Sequence, residues 1–115
     1  MGTVSDLGFI RTFTGGDAAK IKKYVGMFLA MAKPSLDQMD HQCADSDWKS
    51  LKTTSHSLKS QMKYMGMAQA AEIAQKLETI CAEGQGTDQV PHLLADLKNL
   101  VLIAIKELEE ELAQL

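Results

Sequence analysis

A chain of 115 residues, 45% apolar and 23% charged, is long enough to bury the core of one soluble domain. Its net charge of −3 excludes the basic excess of a general nucleic-acid binder, and no apolar run approaches the roughly 18 residues of a membrane span. Two cysteines, no basic leader followed by an apolar stretch, and a preference for Ala, Leu, Lys, Glu, Gln and Met over β-branched residues predict a cytoplasmic, reduced and helical protein.

Leu7, Ile10 and Phe13 recur at helical spacing and predict a short first helix, stopped by Gly15-Gly16. Asp17 is placed to cap the next one. From Ala18 to about Cys43 the apolar residues Ile21, Val25, Phe28, Leu29, Ala32, Leu36 and Met39 fall on one face of a long helix. Pro34 predicts a bend near Met31–Lys33 and not a break, because the stripe resumes in phase at Leu36. Ala44-Asp45-Ser46-Asp47 reads as a turn, with Ser46 or Asp47 opening a third helix. Its inner stripe is Trp48, Leu51, Ser55, Leu58, Met62 and Met65, and Gly66 ends it. Residues 67–83 form a fourth helix through Ala70, Ile73, Ala74, Leu77, Ile80 and Cys81. Gly84 to Asp88 is a flexible turn, and Pro91 suits the first turn of a last helix running through Leu94, Leu97, Leu100, Val101, Ala104, Ile105, Leu108 and Leu112. Its end, with Glu107, Glu109, Glu110 and Glu111, is expected to be solvated.

Four helices with single apolar stripes and short connections predict an all-α fold. The expected architecture is an antiparallel up-down-up-down four-helix bundle with the short N-terminal helix capping one end. The whole of 1–115 reads as a single domain with its bundle core at about 17–113. A monomer is expected.

The third helix carries the chemistry. On a wheel of 100° per residue, Leu51, Leu58, Met62 and Met65 cluster, and His56 points about 135° away from them, toward solvent. Lys49, Lys52, Thr53, Lys59, Ser60 and Lys63 lie within about 60° of it, a basic face in an acidic chain. Imidazole titrates close to physiological pH, so one ring nitrogen is free to act as a nucleophile. If it takes a phosphoryl group, Lys59 with Lys63 or Lys52 can hold the added charge, and Ser60 is small enough to let another protein approach. On periodicity alone, one more polar residue on a solvated face is the simpler reading.

Other candidates are weaker. His41-Gln42-Cys43 resembles half a metal site without a complementary pair, so no metal and no bound cofactor are expected. Met62, Met65 and Met67 read as core, with a partner-binding patch as the alternative. No paired carboxylates, Ser/His/Asp set or glycine-rich phosphate loop is present, which argues against an autonomous hydrolase or kinase.

The segment His56-Ser57-Leu58-Lys59-Ser60, with Gly66 ten residues after the histidine, resembles the signature of histidine-containing phosphotransfer (HPt) domains. Phe28-Leu29, Leu36, Met39, Asp47-Trp48, Leu51 and Leu77-Glu78 fit the same family pattern. The likeness is good over about residues 17–83 and general over the last helix. Ser60 stands where the family most often has Gly, Ser55 where it usually has Ala, and Lys63 where it is frequently small. The resemblance implies that His56 is phosphorylated, with Lys59 beside the phosphoryl group. It also implies receiver domains of response regulators or a hybrid histidine kinase as partners, and Mg²⁺ on the receiver alone. The protein would then be a phosphocarrier in a phosphorelay and not an enzyme. The rival reading is a helical interaction module of the same shape without phosphate chemistry.

Overall fold

The computed structural model describes residues 3–115. Its helices are α1 (Gly8–Thr14), α2 (Ala18–Ala44), α3 (Trp48–Tyr64), α4 (Ala68–Glu83) and α5 (Val90–Ala113), with a 3₁₀ turn at Thr87–Gln89. Among the described residues there is no strand, and no helix is long and apolar enough to cross a membrane.

Local chemistry sets the helix boundaries. The Asp17 and Asp47 carboxylates accept the backbone N–H groups of Lys20 and Ser50, which the first turns of α2 and α3 leave unpaired. Gly66, at φ 67°, closes the end of α3 in a left-handed conformation, and the Met67 N–H returns to the Met62 carbonyl at 2.9 Å. α2 runs through Pro34 without a break. Pro34 is exposed, as is Ala30, whose carbonyl loses its helical partner, so water can replace the missing bond.

Short connections make successive helices antiparallel. α3 packs most extensively on α4, α2 packs on both α3 and α5, and α4 packs on α5, which closes the ring of four. The long dimension of 43 Å matches the roughly 40 Å that α2 spans at 1.5 Å per residue. Phe28, Met39, Leu51, Leu58, Met62, Leu77, Leu97 and Leu108 are among the fully buried side chains. Each contributes on the order of 1.5–3 kcal/mol of apolar burial.

The N-terminal segment caps the end of the bundle where α3 and α5 finish. The backbone N–H groups of Val4 and Ser5 and the Ser5 hydroxyl donate to the Glu107 carboxylate at 3.0, 2.8 and 2.7 Å. The Asp6 N–H donates to the Met65 carbonyl, and Arg11 pairs with Glu111. The segment crosses the α3–α4 turn so closely that a Cβ on Gly66 would stand 2.1 Å from the Asp6 carbonyl oxygen. Two expectations change here. The acidic end of α5 is only partly solvated, because Glu107 and Glu111 tie down the N-terminal segment. At α1, the N-cap residue Leu7 and Ile10 are buried as their spacing predicts, but Phe13 is 63% exposed and Thr14 is buried in its place.

Candidate functional site

The inner face of α3 is held by Leu51, Ser55, Leu58 and Met62, all fully buried. That grip sends His56 outward, and its side chain is 62% accessible. The neighbouring hydroxyls turn back onto the helix. Ser60 Oγ donates to the His56 carbonyl at 3.3 Å, and Thr53 Oγ1 to the Lys49 carbonyl at 3.2 Å. Ser60 therefore stays low beside the ring, as a small residue there should.

The imidazole is not alone with lysines. Glu78, from α4, places Oε1 2.7 Å from His56 Nδ1 and Oε2 2.7 Å from Lys59 Nζ. Lys59 also donates to Gln75 Oε1 at 2.8 Å. The Glu78 carboxyl is held below its ordinary range, chiefly by the Lys59 hydrogen bond and further by His56, against an opposing effect of burial. An ionised carboxylate only accepts, so the shared proton sits on Nδ1, and in the neutral ring the lone pair is then on Nε2.

Lys59 departs from the exposed basic face expected of it. Its side chain is only 11% exposed, with the stem against α4 and the ammonium bonded to Glu78 and Gln75. The wheel shows a helix without its neighbours, and Lys59 lies on the side of His56 that α4 covers. Lys52 and Lys63 are exposed as predicted, and among the described residues neither pairs with a carboxylate. Lys63 borders a shallow groove between α3 and α4 together with Lys59, Glu72 and Gln75.

Met62, Met65 and Met67 are buried to within 1% and expose no patch of their own, although Met65 forms part of the floor of a groove beside Phe13, Tyr24 and Tyr64. The patch reading of these methionines is thereby overturned. Glu78 entered the sequence reading only as half of a Leu-Glu pair, and Gln75 did not enter it. A signal for both was present. The pairs His56–Glu78 and Lys59–Gln75 are each symmetric about residue 67, where the tight turn reverses the chain. Reflecting α3 through that turn identifies the side chains that face it from α4.

A protein-family model described as "Hpt domain" matches residues 23–115, which includes the last helix as well as α3 and α4. No curated protein matches the chain, and no solved structure does.

Proposed function

Because the chain belongs to the Hpt domain family, whose members are phosphocarrier modules of two-component signalling that work with receiver domains, we propose that His56 is its phosphoryl acceptor. The observation that carries this reading is the Glu78 contact on a side chain 62% accessible, which favours the proton on Nδ1 and leaves Nε2 as the nitrogen for attack.

The step follows from that tautomer. A receiver domain bearing an aspartyl phosphate docks over α3. Nε2 attacks the phosphorus in line, the N–P bond forms, and the P–O bond to the receiver's aspartate breaks, returning a carboxylate to the receiver. The ring becomes a phosphoimidazolium whose Nδ1–H remains bonded to Glu78, so the new positive charge is met by an existing negative one. In the reverse sense, an aspartate of a second receiver attacks the phosphorus and the imidazole leaves neutral. Lys52 and Lys63, which pair with no carboxylate among the described residues, are cations able to attract the phosphoryl oxygens, while Lys59 works through Glu78. Any Mg²⁺ belongs to the receiver, where it screens the charge on the transferring group.

The test is transfer itself. Receiver domains phosphorylated with acetyl phosphate are mixed with the chain, and acid-labile, base-stable label on the chain supports the proposal. A helical interaction module without phosphate chemistry would bind a receiver and take no label.

A further inference from the structure

Glu78 engages two partners at once, His56 through Oε1 and Lys59 through Oε2. A second group on α4 bears on the same ammonium. Gln75 lies three residues before Glu78, on the edge of α4 that faces α3. Its Oε1 accepts a hydrogen bond from Lys59 Nζ at 2.8 Å, and its Nε2 donates to Thr79 Oγ1 at 3.1 Å. An amide carries an acceptor on one side and donors on the other, so the two bonds together fix which way round it lies. The reverse orientation would set an NH₂ against an ammonium. Thr79, one turn after Gln75, thus secures the oxygen that faces Lys59.

The effect on Lys59 follows from the chemistry of its side chain. An ammonium is a point charge on a flexible stem, and a single carboxylate oxygen leaves it free to swing about that bond. Two acceptors on successive turns of α4 hold it in one place, and with its side chain only 11% exposed, water competes little for it. Glu78 is fixed in turn, because each of its oxygens meets a different partner. The contacts therefore run in one chain from Thr79 through Gln75, Lys59 and Glu78 to His56. Gln75 and Thr79 are themselves exposed and fill no part of the core, so packing does not account for their placement.

Resting on the phosphotransfer reading above, we infer that Gln75 is a positioning residue for that reaction and that Thr79 orients it. The two hydrogen bonds of Gln75 go to Lys59 and Thr79, so it acts on the imidazole through Lys59 and Glu78. It keeps the ammonium on Glu78, and with it the Glu78 carboxylate on Nδ1. A phosphoryl group arriving over α3 competes for the same ammonium, and a second acceptor on α4 opposes that withdrawal.

The experiment compares full-length wild type with Gln75→Leu, Thr79→Val and Thr79→Ser. Long-range ¹H–¹⁵N spectra of the His56 ring read the share of molecules with the proton on Nδ1, and single-turnover transfer from a phosphorylated receiver reads the rate. Gln75→Leu is expected to move the ring toward a tautomer mixture and to slow transfer at saturation by roughly 3- to 10-fold. The half-saturating receiver concentration should hold. Thr79→Val should shift both readings in the same direction by less, and Thr79→Ser, which keeps the hydroxyl, should restore them. In a Lys59→Met background Gln75→Leu should add nothing, since the two changes cut the same chain. Circular dichroism checks that helix content is kept, and Gln75→Ala replaces Gln75→Leu if it is not. Wild-type ring shifts or a wild-type saturating rate in the Gln75 variant overturns the inference. So does a full additive effect in the Lys59→Met background. If the ring shifts respond as expected but no receiver labels His56, the positioning chain stands and the phosphotransfer reading falls.

Discussion

His56 Nδ1 and Glu78 Oε1 stand 2.7 Å apart, and this contact favours the proton on Nδ1 over Nε2. A free imidazole distributes its proton between two nitrogens. Here a carboxylate on the neighbouring helix, itself anchored by Lys59, keeps that proton on the inward side.

Removing Glu78 should therefore slow transfer without touching the nucleophile. A hydrogen bond to a charged group contributes about 1.5–3 kcal/mol, so Glu78→Ala is expected to slow transfer roughly 10- to 100-fold. Glu78→Gln retains an acceptor oxygen but no charge and should fall between that and wild type. Single-turnover rates measure the effect, and imidazole ¹⁵N shifts should move toward a tautomer mixture in the alanine variant. Wild-type rates and shifts in Glu78→Ala would remove Glu78 from the mechanism.

Lys59→Met keeps the apolar stem and deletes the ammonium. Lys59 is the largest cause of the lowered Glu78 carboxyl, so that carboxyl should rise toward its ordinary range in the variant. The sign follows. Interactions of ionised Glu78 are present above its unperturbed pKa near ~4.3 and are lost as pH falls through its lower folded value. In Lys59→Met the loss begins at higher pH, and stability falls by about 1–3 kcal/mol. A ¹³C titration of the carboxyl and a urea melt report the two effects, and an unshifted carboxyl would contradict the pairing.

Ser55 is fully buried, and its hydroxyl has no hydrogen-bond partner among the described residues. Ser55→Ala removes an unsatisfied polar group from the core, next to His56. The change should stabilise the protein by about 1 kcal/mol, raising Tm by a few degrees, with transfer unaffected. Destabilisation of that size would mean that the hydroxyl is bonded in solution.

The N-terminal segment should release under acid before the bundle melts. Burial tends to raise the Glu107 carboxyl, but the Ser5 hydroxyl and the Ser5 and Val4 N–H groups outweigh it and hold the carboxyl below its ordinary range. Its contribution is complete above pH ~4.3 and disappears as pH falls through the folded value. Glu107→Gln should cost about 1–3 kcal/mol and flatten this acid dependence. Gly66→Ala, which combines φ 67° with a clash against the Asp6 carbonyl, should cost at least about 2 kcal/mol. Amide exchange at Asp6, Arg11 and Gly16 reads both variants, since their N–H groups are bonded in this region. Unchanged protection in both would contradict the latch.

The architecture was legible because each helix repeats its apolar residues at threes and fours and is bounded by Asp17, Asp47, Gly66 and Gly84. The outward direction of His56 was legible for the same reason, since Leu51, Leu58 and Met62 settle which face of α3 is buried. The surroundings of His56 were not, because a helical wheel contains one helix and Glu78 and Gln75 belong to another. Lys59 was misplaced for that reason. The exposed aromatic cluster of Phe9, Phe13 and Tyr64 was missed for a different one. Phe13 sits on the apolar spacing of α1, and periodicity cannot tell a residue that packs from one left exposed beyond the edge of the core. Phe9 and Tyr64 come together only once α1 is folded over the end of α3.

Where the label goes decides most directly whether His56 is the phosphoryl acceptor. Wild type and His56→Gln are each incubated with a receiver domain phosphorylated by acetyl phosphate, and the labelled chain is digested under alkaline conditions and mapped by mass spectrometry. The prediction is phosphohistidine at His56, none at His41 or His92, and no label in His56→Gln, whose helix content and melting temperature match wild type. Label that persists in His56→Gln, or that maps to another residue of wild type, would contradict it.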